Sequence, residues 1–220
     1  MSKYLWLVRH AESQGNLEGR IQGWADYPLT ELGQWQAAQL AERLVQERSI
    51  GALISSPQQR AAETAQVIGD VLGLPVRFDA RLKEYNFGPL NGLMPDEIIA
   101  RFPVVRAAWE INRPWQPLPG EEGEPAFLAR VQEAMDEIVA GMAEDTTLAV
   151  VAHGGSLDAC LRAWLGINGR EERRAFTFDN ASLSLVRVRG RSYRVLLLND
   201  TCHLKNTRGD IREGGGDDSG

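Results

Sequence analysis

Histidine and cysteine are both scarce in this chain of 220 residues: three of the first and two of the second. Two cysteines, Cys160 and Cys202, cannot make a disulfide framework, and they fit a reducing, cytoplasmic setting. Three histidines without short ligand spacing give no zinc signature, so no metal is expected. Long apolar runs are missing too. No stretch approaches the roughly 18 apolar residues of a membrane span, so no membrane partner is expected. The N-terminal apolar run is broken at Arg9, unlike the core of a secretory signal. Basic charge falls short of acidic, 24 Lys and Arg against 30 Asp and Glu, for a net charge of −6. A general nucleic-acid binder needs a basic face and is excluded. An acidic chain can still hold phosphate where a few arginines share one cleft. Neither G-x-x-x-x-G-K-[ST] nor G-x-G-x-x-G occurs, which argues against a nucleotide-binding module. There is no internal repeat and no clear linker.

What is present is an alternation of strand and helix patterns. Residues 4–8, 52–55, 76–78 and 147–152 read as buried strands. Residues 30–48 read as a helix capped by Thr30. Ser56 with Pro57 reads as the start of another helix that ends at Gly73. Residues 80–95 read as loop, with short helices near 95–102 and 104–112. The stretch from Arg113 to Pro125 holds four prolines and two glycines and must be irregular. A helix follows over 126–143, and another after Ser156, read as its cap. Residues 182–189 and 192–198 flank Gly190-Arg191 as a hairpin. This order implies an α/β fold with a largely parallel sheet.

Two of the strand runs end on histidine. One reads Leu5-Trp6-Leu7-Val8-Arg9-His10-Ala11-Glu12-Ser13, the other Leu148-Ala149-Val150-Val151-Ala152-His153-Gly154-Gly155-Ser156. Such residues lie on the sheet rim where open α/β folds bind ligands. A lone histidine there is more often structural, so the argument rests on co-occurrence. Arg60 falls in the first turn of a helix, a poor place for a cation unless an anion binds at that end. Glu84 stands among apolar neighbours in Leu82-Lys83-Glu84-Tyr85-Asn86-Phe87-Gly88.

In order and spacing these residues resemble the histidine phosphatase superfamily, the phosphoglycerate-mutase-like proteins. The resemblance runs through Leu7-Val-Arg-His-Ala-Glu-Ser13 with Asn16, Arg20-Ile-Gln-Gly23, Pro28-Leu-Thr-Glu-Leu-Gly33, Ser55-Ser-Pro-Gln-Gln-Arg60, Glu84 with Phe87-Gly88, Pro119-Gly-Glu-Glu122 and His153-Gly-Gly155. It covers nearly the whole chain. It departs at Ala11, where glycine is usual, and at Gly123, where many members carry serine. It implies a three-layer α/β/α sandwich with a mostly parallel central sheet and a small helical lid. The implied mechanism has His10 as nucleophile, forming a phosphohistidine. Arg9, Arg60, His153 (if protonated) and Asn16 grip phosphate, with Gln22, Gly23 and Gly154 in the same binding set. The second ring nitrogen of His10 should be held protonated by a backbone carbonyl. Glu84 is the implied acid for the leaving group and then the base for water. Directed donors of this kind take the place of a metal, so no cofactor is expected.

Two rivals remain. A phosphoglycerate mutase of this family carries a longer insertion with adjacent basic residues. Here residues 102–125 hold Arg106 and Arg113 but no basic pair, with Trp109 and Trp115 instead, which favours a phosphatase with a partly apolar lid. A non-catalytic phosphate-binding relative usually lacks the nucleophile or an arginine, and both are present. The ending Leu198-Asn-Asp-Thr-Cys-His203-Leu, with Asp179-Asn180-Ala181-Ser182, resembles the metal-independent phosphoserine phosphatases, which puts His203 near the substrate's non-phosphate end. The expectation is one domain over 1–206 with a lid insertion at about 85–125, and a disordered tail over 207–220. The partner is a small phosphorylated metabolite, with a homodimer compatible.

Overall fold

A computed structural model describes residues 1–47, 49–110, 117–167 and 175–207. Six strands form one sheet: β1 (Lys3–Arg9), β2 (Ile50–Ser55), β3 (Val76–Phe78), β4 (Thr147–Ala152), β5 (Leu183–Arg189) and β6 (Ser192–Asp200). Their spatial order is β3-β2-β4-β1-β5-β6. The first four are parallel, and β5 and β6 add an antiparallel hairpin at the β1 edge.

The continuous apolar runs of β1 and β4 are explained by burial on both faces. Leu5, Leu7, Leu148 and Val150 join Val131, Met135, Leu157 and Leu161 on one side. Trp6, Val8, Ala149 and Val151 join Leu40, Leu44, Ala61 and Ile68 on the other. The first side is covered by α6 (Glu124–Gly141) and α7 (Gly154–Leu165), the second by α2 (Glu31–Val45) and α3 (Gln59–Leu72). This is the expected three-layer sandwich. The helix after β1 and the helix after β4 therefore leave the sheet in opposite directions. The carboxyl ends of these neighbouring strands open a crevice between them. A short helical turn, α1 (Gln14–Leu17), follows β1.

A small separate core of Leu90, Ile98 and Val105 holds α4 (Pro95–Arg101) and α5 (Pro103–Glu110), the helical lid. Arg113, Trp115 and the side chain of Trp109, on which the lid's apolar character was read, lie outside the described residues, as does the tail from 208. Two 3-10 turns, Ala80–Leu82 and Gly88–Leu90, occur within the expected loop.

Two expected caps are corrected. Thr30 caps α2 through the Gly33 N–H at 2.9 Å. Ser56 does not cap α3, which starts at Gln59 after an extended Gln58 with no side-chain cap. Its hydroxyl faces His153 instead. Ser156 lies inside the first turn of α7 rather than before it, and its hydroxyl donates to the Leu82 and Lys83 carbonyls at 3.2 and 3.0 Å. In both cases a tertiary partner claims the hydroxyl that local pattern assigned to the helix.

Candidate active site

Strand register assembles the crevice. Arg9 pairs with Ala152 and Ser55 with Val151, so the residues just past β2, β4 and β1 stand in a row. They are Ser56, His153 and His10. Backbone bonds fix the row: the His10 N–H donates to the Ala152 carbonyl at 3.0 Å and the Ser56 N–H to that of Val151 at 2.9 Å. The imidazoles of His10 and His153 are buried with centroids 5.2 Å apart. His10 Nδ1 lies 2.7 Å from the Ala11 carbonyl. That carbonyl can only accept, so Nδ1 carries the proton and Nε2 keeps its lone pair. The site uses the backbone of Ala11, and its methyl group packs in the core with Val8, Leu29 and Ala61.

Arginines close the row. Arg60 is fully buried at the start of α3, and its Nη1 and Nη2 donate to the carbonyls of Ala25 and Gly23, each at 3.0 Å. Arg9 Nη1 donates to the Phe178 carbonyl. Asn16 Oδ1 accepts from Ser13 N–H, Ser13 Oγ and Asn180 Nδ2, which leaves its amide donors for another partner. Gln22 Oε1 accepts from Ser13 Oγ at 2.8 Å. Gly154 opens α7, where backbone N–H groups lack intrahelical acceptors.

The electrostatics favour an anion. Burial, then Arg60 and Arg9, holds His10 well below the ordinary imidazole value of 6.5. Burial, then Arg60, His10 and Arg9, does the same to His153. Both rings are neutral at pH 7, so a donation from His153 comes from a neutral ring rather than an imidazolium. Burial pushes the Arg60 guanidinium down to about 10, offset in part by Glu84 and Asp26. Among the described residues no carboxylate forms an ion pair with Arg60. Leaving a buried donor unsatisfied costs about 1–3 kcal/mol, and Arg60 Nε is such a donor; among the described residues His153 Nδ1 is likewise buried without a partner. A phosphate dianion would relieve every one of these strains at once.

Glu84 faces the same crevice from the segment after β3. Its Oε2 accepts from the Gly155 N–H at 2.9 Å and Oε1 from the Tyr85 N–H at 2.8 Å. The approach to α7 is so close that a Cβ on Gly155 would stand 2.2 Å from Oε1, so only glycine admits this carboxylate.

Comparison with known proteins settles the class of this site. The sequence pattern of the histidine phosphatase superfamily (branch 1) matches residues 5–201. This chain belongs to that superfamily. A putative phosphoserine phosphatase 2 of Hydrogenobacter thermophilus is 34% identical over 203 residues, 92% of this chain and 98% of that one. A probable phosphoglycerate mutase of Yersinia pestis is 35% identical over 187 residues, 83% of each chain. The solved structure of a mycobacterial glucosyl-3-phosphoglycerate phosphatase with vanadate superposes with a TM-score of 0.79 at 33% identity, over 90% of this chain and 99% of that one. The chain is a phosphoric monoester hydrolase by class.

Several residues of this histidine phosphatase make site contacts to which the sequence assigns no role. Gln58 is buried and bridges both walls: Nε2 donates to the Gly23 carbonyl at 2.7 Å, and Oε1 accepts from the Glu84 N–H at 2.7 Å. Thr64 Oγ1 accepts from the Ala11 N–H and donates to the Arg60 carbonyl. Asn180 Nδ2 donates to the His10 carbonyl at 3.1 Å. Arg130 donates to the carbonyls of Arg81, Lys83 and Glu84 and forms a two-pronged pair with Glu122. Glu122 thus has a clear part to play, and Gly123, at φ +77°, suits the turn that opens α6. An arginine on an amphipathic helix reads as a surface cation, so nothing local distinguishes Arg130.

The structure gathers His10, His153, Arg9, Arg60, Asn16, Gln22, Gly23, Gly154 and Glu84, but not His203. That ring lies on the 3-10 turn Cys202–Thr207 against the backbone of Ala181, under the influence of Asp200 and Arg43, with both nitrogens shut away from solvent. Among the described residues no group of three or more His, Cys, Asp or Glu could hold a metal ion.

Proposed function

We propose that this chain hydrolyses small phosphomonoesters through a phosphohistidine on His10. The observation that carries the reading is the group of buried Arg60, half-buried Arg9 and two buried neutral imidazoles, with Arg60 lacking any carboxylate partner among the described residues. His10 Nε2 attacks phosphorus while the P–O bond to the alcohol breaks. Glu84 passes its proton to the departing alkoxide. Water then attacks the phosphohistidine, Glu84 takes its proton back, and inorganic phosphate leaves with His10 restored. Arg9, Arg60, Asn16, His153 and the N-terminus of α7 meet the charge on the equatorial oxygens, which a loose phosphoryl transition state spreads over three atoms. Splitting the reaction in two gives each half a good nucleophile or leaving group.

Likeness to the Hydrogenobacter protein makes O-phosphoserine the first substrate to try. The mutase name among the relatives supports a second reading, in which the phosphohistidine hands its phosphoryl group to a second hydroxyl. Phosphate release from a panel of phosphorylated metabolites separates the two. His10→Ala should abolish turnover and remove acid-labile phosphorylation of the protein. Near-normal turnover by His10→Ala would sink the mechanism.

A further inference from the structure

We infer that Ser56 is a positioning residue that locks His153 in the tautomer needed to donate to the phosphoryl group. The proposal rests on the reading of the site as a phosphohistidine phosphatase and extends it to a residue that touches no substrate.

The argument counts protons. Ser56 Oγ lies 2.8 Å from His153 Nε2, and the serine is wholly buried. A hydroxyl has one proton and two lone pairs. The Gln58 N–H donates to Oγ at 3.3 Å, so one lone pair is engaged. The second lone pair could accept from a protonated Nε2, but among the described residues Oγ would then have no acceptor for its own proton, so the hydroxyl proton is assigned to Nε2. Nε2 must then be unprotonated, and the single ring proton of neutral His153 sits on Nδ1. That nitrogen is buried and has no partner among the described residues. It is the donor a phosphoryl oxygen would use.

The lock matters because His153 is neutral. An imidazolium would carry a proton on both nitrogens and need no help. A neutral ring offers a donor on one edge, and the wrong tautomer would turn a lone pair toward the phosphate dianion. His10 shows the opposite arrangement. The Ala11 carbonyl accepts from its Nδ1 and leaves Nε2 bare for attack. Adjacent rings therefore hold opposite tautomers, one set by a carbonyl and the other by a hydroxyl. Strand order explains how this is possible: β2, β4 and β1 deliver Ser56, His153 and His10 side by side.

The test uses the full-length enzyme with ¹⁵N-labelled histidine. With three histidines in the chain, a His153→Gln variant assigns the His153 signals. In the phosphate-free protein at pH 7, Nδ1 should show the shift of a protonated nitrogen and Nε2 that of a bare one. Ser56→Ala should mix the tautomers and lower kcat/KM about tenfold, the scale of one hydrogen bond. Ser56→Thr, which keeps the hydroxyl, should restore both. The defect of Ser56→Ala should also shrink as pH falls, because protonating His153 restores the Nδ1 proton. A protonated Nε2 in the wild type overturns the proposal. So does a Ser56→Ala loss that is independent of pH and shared by Ser56→Thr, which marks a packing residue. Acid-labile phosphorylation of His10 should persist in every Ser56 variant. Its absence from the wild type would instead defeat the mechanism on which the proposal rests.

Discussion

On the proposed mechanism the crevice has a phosphate wall and a leaving-group wall, and the two are built differently. The phosphate wall consists of strand ends and helix N-termini: His10 after β1, His153 after β4, Arg60 in α3 and Gly154 in α7. Its side chains are buried, and backbone register places them. The leaving-group wall is the segment after β3 that carries Glu84. It is irregular, half-buried, and held by the side chains of Gln58, Trp24 and Arg130 bonding to its backbone. A phosphoryl group is the same in every substrate, and a rigid frame suits it. The alcohol differs between substrates, and a wall held by side chains can change without disturbing the sheet. This division lets one fold serve relatives named for different substrates.

The largest expected effect strikes the phosphate wall. Arg60→Met should lower kcat/KM by about 10³-fold, as when a fixed donor to a developing oxyanion is removed. The loss should be equal for alkyl and aryl phosphates, because both present the same phosphoryl group. Melting temperature without phosphate should stay level or rise, since a buried cation lacking an ion pair is itself costly. Added inorganic phosphate should raise the melting temperature of the wild type but not of Arg60→Met. A loss confined to alkyl esters would break the division of labour.

Glu84→Gln should strike the other wall. Proton donation is worth about 10²–10⁴-fold when the leaving group is a poor one. O-phosphoserine hydrolysis should fall by that order, while aryl phosphates, whose anions leave unaided, should change far less. An equal fall on both would recast Glu84 as a support for the Gly155 N–H to which it bonds.

The same division decides what the sequence disclosed. The phosphate wall follows from regular elements, and period and run length mark those: β1 and β4 are apolar throughout because both faces are buried, and the histidines stand where the runs stop. The leaving-group wall is tertiary. Gln58 and Arg130 act on main-chain atoms of residues far along the chain, and Asn180 reaches His10 across 170 positions. Local pattern carries no trace of such bonds. Ser56 and Ser156 were misread as caps for the same reason. Their hydroxyls answer to His153 and to the carbonyls of Leu82 and Lys83, and cap rules weigh only the neighbouring helix. Glu84 has only its apolar neighbours as a local mark among 30 acids, and its role comes from the resemblance.

His203 offers the smallest effect and the sharpest test of where the leaving-group wall ends. Resemblance in the last strand puts it at the substrate's polar end. Its ring is packed beside Ala181, whose N–H in turn donates to the His10 carbonyl at 3.1 Å. Burial lowers its pKa, and both nitrogens are shut away from solvent. A ring in that place supports the backbone behind the nucleophile. His203→Ala should therefore cost less than about tenfold in kcat/KM, the range of one modest packing or hydrogen-bond change. It should cost the same for O-phosphoserine and for an aryl phosphate without a carboxylate. A rise in KM restricted to O-phosphoserine would mean that the turn opens on binding and brings His203 to the substrate. The leaving-group wall would then extend across the crevice to the end of β6, and the two walls would share the strand hairpin rather than divide at it.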